Sequence, residues 1–166
     1  MSVTVSGGTK IASRVADLKR KFRDAPTVLI GVPKSAGNYE DGVHTATVAA
    51  VNEFGSADGR IPERSFLRSG IEDSKPQIIK LYGKMMPDVI EKDLDIRSIQ
   101  ALVGELVVGN IVQKISEGID PPNAPSTIKA KSKGTGSSTP LINTGHLKQS
   151  ITYVIAPSGE NVEEGL

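Results

Sequence analysis

Only two short stretches of this sequence have the pattern of a buried β-strand, and they lie far apart in the chain. The first, TVLIGVP at 27–33, is a continuous apolar run bounded by prolines and rich in β-branched residues. The second, SITYVIA at 150–156, places Ile151, Tyr153 and Ile155 on one face of a strand that could pair with the first. Helical patterns fill most of the chain around them, in the order α-β-α-α-α-β. Because this order lacks the alternation of a doubly wound sheet, the sequence predicts an α+β fold with a small sheet packed by several helices.

Two shorter helices are predicted in the N-terminal third of the chain. The first is amphipathic and stops at Pro26, and its apolar face consists of Ile11, Val15, Leu18 and Phe22. The second begins at Thr45 and ends at Phe54, because Gly55 follows at the position of a left-handed C-cap.

Two long helices are predicted to form a hairpin that lies on the sheet. The first begins with a capping residue at 73–74, and Pro87 is expected to kink it or end it. The second occupies 95–118, between an aspartate cap and a terminal glycine. Gly104 and Gly109 lie inside the second helix, where they are either tolerated defects or points at which a neighbour approaches closely.

Residues 120–140 are predicted to form a long extended arm, because they contain many prolines and glycines and only one strongly apolar residue, Ile128. Lys129, Lys131 and Lys133 occupy alternate positions, so in an extended segment they would face one side. That side would suit phosphates or an acidic partner, and a solvated loop is the plain alternative. No aromatic residue is interleaved to stack on bases.

A compact anchor is predicted directly after the arm. Pro140 fixes its own backbone φ angle, and Leu141 supplies apolar surface for burial. Asn143 or Thr144 can cap a single turn of helix at His146 to Gln149, which follows Gly145 and includes Leu147. The anchor leads into the second strand, and it either closes the core or holds the arm for a neighbour.

Length, charge and composition exclude several classes of protein. The 166 residues suit one domain, predicted over 1–156, followed by a polar tail at 157–166. The net charge of +1 gives no overall field for nucleic acid or anionic lipid. The absence of cysteine excludes disulfides, thiolate nucleophiles and sulfur-ligated zinc. Neither a secretion signal nor a membrane span is predicted.

The sequence predicts no enzyme, cofactor or metal site. GVPKSAGN at 31–38 follows a strand and contains a lysine, but it lacks the spacing of a phosphate-binding loop. Glu40, Asp41 and His44 are close in sequence, and His146 is the other histidine. Their spacing matches no metal motif, so we expect solvated side chains and a helix-turn residue.

Two longer stretches carry a pair of motifs. VAAVNEFGSADGRIPERSFLRSGIE at 48–72 has a helix ending in E-F-G that leads to I-P-x-R-x-F-L-R. PPNAPSTIKAKSKGTGSSTPLINTGHLKQSITYVI at 121–155 has a basic loop, then P-L-[IV]-[DN]-T-G-x-L and a strand that begins S-I-x-Y. In this order, with two helices between them, the motifs resemble those of the phage virion-morphogenesis family. That family comprises minor tail, tail-completion and neck proteins of long-tailed phages.

The resemblance implies a non-enzymatic α+β subunit that forms a ring, expected to be six-fold, where the head connector meets the tail. Its partners would be copies of itself and the adjacent neck, connector and tail proteins, with no membrane and no cofactor. It would reside in the neck or tail of the virion after assembly in the host cytoplasm. A tail-terminator ring remains an alternative, as does a module that contacts double-stranded DNA in a channel.

The candidate partner-binding residues come from both motifs. In the first motif they are Arg64, Phe66 and Leu67, with the last two forming an apolar anchor inside the subunit or at its boundary. In the second motif they are Lys129, Lys131, Lys133, Pro140, Leu141, Thr144, Gly145 and Leu147.

Overall fold

The computed structural model of the chain describes residues 8–134 and 137–158, so the predicted tail at 157–166 lies outside the described residues beyond Ser158. Its α-helices and strands, in chain order, are α1 Gly8–Arg23, β1 Thr27–Gly31, α2 Thr45–Phe54, α3 Phe66–Glu91, α4 Ile96–Glu117, α5 Pro125–Ser132, α6 His146–Gln149 and β2 Thr152–Ala156, with a 3₁₀ turn at Lys34–Ala36 after β1. This arrangement confirms the predicted α+β class.

The sheet pairs the two predicted strands and is antiparallel. Thr27 lies opposite Ala156, and Gly31 lies opposite Thr152. Within the described ranges the sheet has these two strands alone. One face packs on α4, because Ile30 joins the core and Tyr153, its cross-strand partner, lies against Gly104 of that helix.

The core is built around the long hairpin of α3 and α4, which pack along each other as predicted. The buried side chains come from this hairpin and from the segments that cross it, and they are Val32, Ala49, Phe66, Val89, Ile99, Val103, Val107, Ile111, Ile115, Leu147 and Ile151. Burial of each large apolar side chain contributes about 1.5–3 kcal/mol relative to leaving it in water. The hairpin is therefore the main source of stability.

The start of α3 differs from the prediction. The helix begins at Phe66 rather than at 73–74, and Ser74 is a buried interior residue whose hydroxyl donates to the Gly70 carbonyl at 2.6 Å. The helix also continues through Pro87 to Glu91. Pro87 has no amide hydrogen to donate to the carbonyl one turn before it in the helix. Because Pro87 is exposed, water can bond that carbonyl instead.

The arm at 120–140 also differs from the prediction, because Pro125–Ser132 forms α5 within it. Pro125 occupies the first turn, where its missing N–H costs nothing, and lysine and alanine favour a helix. Since alternate helix positions are about 200° apart, Lys129, Lys131 and Lys133 do not share one side. The predicted row of lysines is therefore wrong.

None of the helices in the described ranges combines the length and the apolar character needed to cross a bilayer.

Gly104 marks the closest approach between the sheet and the hairpin. A Cβ atom at this position would lie 2.3 Å from Cδ2 of Tyr153, whereas a Cβ atom at Gly109 would meet no atom within 4 Å. Both glycines are in α4. Gly104 is therefore a point of close approach, and Gly109 is a tolerated defect.

We expect Gly104→Ala to destabilise the protein by about 1–3 kcal/mol, because the added methyl group must displace the Tyr153 ring. Gly109→Ala is the matched control in the same helix, and it should stabilise by up to about 1 kcal/mol by improving helix propensity. Urea unfolding measures both changes. A Gly104→Ala variant at least as stable as the wild type would contradict the packing described here.

Candidate partner-binding site

The first motif folds around a buried carboxylate. Glu53 lies in the last turn of α2 and is only 2% exposed. It accepts hydrogen bonds from the Leu67 amide at 2.8 Å, the Arg68 amide at 3.1 Å and the Ser65 hydroxyl at 2.8 Å. These donors lie at the N-terminus of α3, where a negative charge is favoured by the helix dipole. The carboxylate thus caps α3 and explains why the helix begins at Phe66.

Arg68 forms ion pairs with both Glu53 and Glu63. Its Nε donates to the Glu53 carboxylate at 2.9 Å, and its Nη2 donates to the Glu63 carboxylate at 2.7 Å. The guanidinium lies 4.8 Å from the centre of the exposed Phe54 ring, which is a cation–π arrangement. Burial alone would raise the pKa of Glu53, but the hydrogen bonds from Leu67, Arg68 and Ser65 outweigh it and hold that pKa below its ordinary value.

Arg64 joins the first motif to the second. It is 6% exposed, and its amide donates to the Asn52 carbonyl at 2.7 Å. Its guanidinium donates from Nε to the Pro121 carbonyl at 2.7 Å and from Nη2 to the Pro122 carbonyl at 3.2 Å. Burial lowers the pKa of Arg64, and within the described residues no carboxylate pairs with it. The base of the arm is thus fixed to a buried arginine.

Lys131 holds the far side of the arm. Its ammonium donates to the Thr139 carbonyl at 3.0 Å and to the Ile142 carbonyl at 2.6 Å. Burial, and then the positive charge of Arg64, lower the pKa of Lys131. The arm is therefore folded back on its own subunit rather than held away from it.

A cleft of about 510 Å³ lies between the arm and the body of the subunit. The arm contributes residues near Pro121 and on α5, and the body contributes the turn before α3 and the anchor. Its walls are formed by Tyr39, Asp41, Val48, Asn52, Arg60, Ile61, Pro62, Arg64, Pro121, Pro122, Asn123, Ala124, Thr127, Lys131, Leu141, Asn143 and Leu147.

The anchor has the predicted turn of helix, and its N-cap residue is Gly145, one position after Thr144. Pro140 is buried and Leu147 is 2% exposed within the core. Thr144 Oγ1 accepts from the His146 amide at 3.3 Å, and Gly145 has the left-handed φ of 83° that a glycine adopts without strain. Leu141 also has a positive φ, 63°, while its side chain packs on the core. The anchor therefore closes the core and forms one wall of the cleft.

Both histidines have defined hydrogen-bond partners in this region. His44 caps α2 by accepting from the Ala46 amide at 3.1 Å, so its Nε2 carries the proton that bonds the Lys34 carbonyl at 2.8 Å. His146 Nε2 lies 2.9 Å from Thr45 Oγ1, and its ring meets that of Tyr39 edge to face. Among the residues that the structure describes, no three potential metal ligands come together.

The structure brings together only some of the predicted site residues. Arg64, Lys131, Leu141 and Leu147 line the cleft, and Pro140, Thr144 and Gly145 shape the anchor beside it. The predicted apolar anchor is inside the subunit: Phe66 is fully buried, and Leu67 is half-buried against the core. Lys129 and Lys133 are exposed and do not line the cleft.

Several residues that organise the site were not among the predicted ones. They are Glu53, Arg68, Tyr39 and the prolines that accept from Arg64. Glu53 and Arg68 are part of the quoted motif, so an acidic helix end followed by F-L-R was the available signal. Arg64 binds the backbone carbonyls of Pro121 and Pro122, and the side chains of these two prolines do not indicate that contact.

We expect Glu53→Gln to lower the free energy of unfolding by about 2–4 kcal/mol, because it removes a buried charge that accepts from a helix N-terminus and from Arg68. Glu63→Gln is the matched control, since it removes the exposed partner of the same arginine, and it should cost no more than about 0.5 kcal/mol. Chemical denaturation of both variants gives the comparison.

The difference between wild type and Glu53→Gln should also depend on pH. The pKa of Glu53 is lower in the folded protein than in the unfolded chain, so its contribution is complete above the ordinary glutamate pKa of about 4.3. It is lost as the pH falls through the lower, folded-state pKa. A difference that grows on acidification would contradict the role assigned to this carboxylate.

No protein family model, no curated protein and no solved structure matches this chain.

Proposed function

We propose that the protein is a structural subunit of the neck or tail end of a long-tailed phage, and that it assembles with copies of itself into a ring. The role is structural, with no catalysis and no cofactor, and its setting is the virion. Two supports are independent of each other: the motif resemblance, and an apolar helix face that the subunit itself leaves uncovered.

The observation that carries the proposal is the apolar face of α1. Ile11 is 68% exposed, Val15 is 45% exposed and Phe22 is 42% exposed, although their spacing places them on one side of the helix. A helix of 16 residues is marginal in water without tertiary packing. Such a face is typical of a surface that is completed by another chain.

The contacts of α1 with the subunit include two polar ones, and Leu18 is the one residue of its apolar face that is half-buried. Arg14 donates to the Ile90 carbonyl, and Lys21 pairs with Asp93. Surface pairs of this kind contribute at most about 1 kcal/mol each. These contacts position α1 and leave Ile11, Val15 and Phe22 of its apolar face exposed.

The sheet is also only partly covered. The side chains of Val28, Leu29, Val154 and Ile155 are half-buried and lie outside the core cluster. A sheet with two strands is weak by itself and has an edge on each side where a further strand could add. A ring neighbour would supply the missing cover for the sheet as well as for α1.

The proposal predicts that the full chain self-associates through α1. Val15→Lys places a charge in the apolar face and should shift the protein towards monomer, while retaining or improving helix propensity. Ser13→Lys places the same side chain on the opposite face of α1 and should leave the assembly unchanged. Light scattering after size exclusion gives the mass, and negative-stain images give the number of subunits in the ring.

Two results would count against this role. One is a wild-type chain that stays monomeric up to about 1 mM, where weak homotypic contacts are populated. The other is equal loss of assembly in both variants, because that would mean the effect comes from charge and not from the apolar face. Rings with a number of subunits other than six would retain the role and change only the expected symmetry.

A further inference from the structure

The cleft between the arm and the body contains positive charge that the subunit does not neutralise. Arg64 and Lys131 both line it, and Arg60 lies at its rim. Asp41 is the acidic residue among its walls, and one of its carboxylate oxygens already accepts from the Val43 amide at 3.0 Å. Arg60 has its own partner in Asp58, so Arg64 and Lys131 exceed Asp41 by one positive charge among the walls of the cleft.

Backbone carbonyls accept some of the hydrogen bonds that Arg64 and Lys131 can donate, but they do not neutralise the charge of either side chain. Arg64 uses Nε and Nη2, which leaves Nη1 without a hydrogen bond to any described residue. Lys131 uses two of its three donors. Arg64 is 6% exposed, and an arginine buried to this extent without a carboxylate is costly, because buried charges are ordinarily paired.

Several other cations of the described residues have carboxylate partners, whereas the partly covered Lys148 contacts the Ser116 hydroxyl. Arg68 pairs with Glu53, Lys114 pairs with Asp73, and Lys21 pairs with Asp93. Arg64 is more deeply buried than these three cations, has no carboxylate partner among the described residues, and lies at the wall of a cleft.

We propose that this cleft is a receptor for an acidic peptide segment of another protein, and that a glutamate or aspartate carboxylate of that segment binds between Arg64 and Lys131. A guanidinium and an ammonium together complement a carboxylate by charge and by hydrogen bonding. The remaining walls include Ile61, Pro62 and Leu147, which suit the methylene groups and flanking residues of a peptide.

The shape of the site favours a peptide over duplex DNA. The guanidinium of Arg64 is buried, so an anion must enter the cleft on a short, narrow side chain to reach it. A duplex presents its phosphates along the outside of a wide rod, and it is bound by exposed cations. Lys129 and Lys133 are exposed in this way, but they do not line the cleft.

Binding of the carboxylate would also act on the arm. Arg64 holds the start of the arm at Pro121 and Pro122, while Lys131 holds its end through Thr139 and Ile142. A negative charge between the two cations reduces their mutual repulsion and so tightens the arm on the body. The inference goes beyond ring formation, because no residue of α1 lines the cleft.

The test is a titration of the full chain, followed through the side-chain nitrogen resonances of Arg64 and Lys131. The probe is a short peptide of alternating glycine and glutamate, and its control is the same peptide with glutamine at each glutamate. Inorganic phosphate and a short DNA duplex are titrated separately. We expect a saturable shift of both resonances with the glutamate peptide only.

Variants distinguish binding in the cleft from an effect of the overall charge of the protein. Lys131→Gln should weaken binding of the glutamate peptide at least about tenfold, the size of one charged hydrogen bond. Lys129→Gln removes the same charge two residues away on the same helix and should change the affinity less than twofold. Arg64→Lys keeps the charge but loses the guanidinium geometry, and it should also weaken binding.

The proposal is overturned if the glutamate peptide gives no saturable shift, if the glutamine peptide binds equally well, or if phosphate or duplex binds more tightly than the peptide. Equal losses in Lys131→Gln and Lys129→Gln would overturn it too. The Val15→Lys variant, in which ring contacts are disrupted, should bind the peptide like the wild type. Peptide binding that survives in a monomer would support the cleft even if the ring proposal failed.

Discussion

The buried carboxylate of Glu53 is the contact on which the rest of the subunit depends. Glu53 lies in the last turn of α2, caps α3 and binds Arg68, whose guanidinium lies over Phe54. These contacts fix the position of a short helix against the long hairpin. A buried carboxylate without donors would be strongly destabilising, whereas this one accepts from two amides, a hydroxyl and a guanidinium. The same contact places Phe66 in the core at the first turn of α3.

The second motif is attached through the first. Once the turn before α3 is fixed by Glu53, Arg64 lies where it can bind the carbonyls of Pro121 and Pro122. These prolines follow α4 directly, so the arginine joins the two ends of the hairpin to the arm. The residues that resemble the virion-morphogenesis motifs are therefore physically connected within one subunit, which gives the pairing of the two motifs a structural reason.

Local patterns in the sequence were sufficient for elements whose ends are set by local chemistry. Both strands, α2 with Gly55, α4 with Asp95 and the turn at His146 were predicted with nearly the observed bounds. The start of α3 was not, because its cap is a side chain from another helix and not a residue next to it. The helix in the arm was missed because the arm was judged by its small apolar content, whereas hydrogen bonds from Arg64 and Lys131 fix it to the body.

In the candidate site, too, local features could be predicted from the sequence and features that depend on distant residues could not. The pattern predicted Arg64, Lys131, Leu141 and Leu147 as binding residues, and all four line the cleft. It could not predict that the cleft has unpaired charge, because pairing depends on which distant carboxylates reach each cation. The pattern also placed Lys131 on one side with Lys129 and Lys133, because it assumed an extended chain. In the helix α5 the spacing has a different consequence, and Lys131 lines the cleft while the other two lysines are exposed.

The position of α3 relates the two proposed surfaces to each other. Its 26 residues span about 39 Å at 1.5 Å per residue. The cleft lies at the N-terminal end of α3 beside Arg64, and α1 is attached at its C-terminal end through Ile90 and at Asp93 just beyond. A partner in the cleft and a second copy on α1 would therefore meet the subunit at opposite ends of α3. Neither would have to displace the other, so a homotypic ring and a heterotypic neighbour can be accommodated by the same fold.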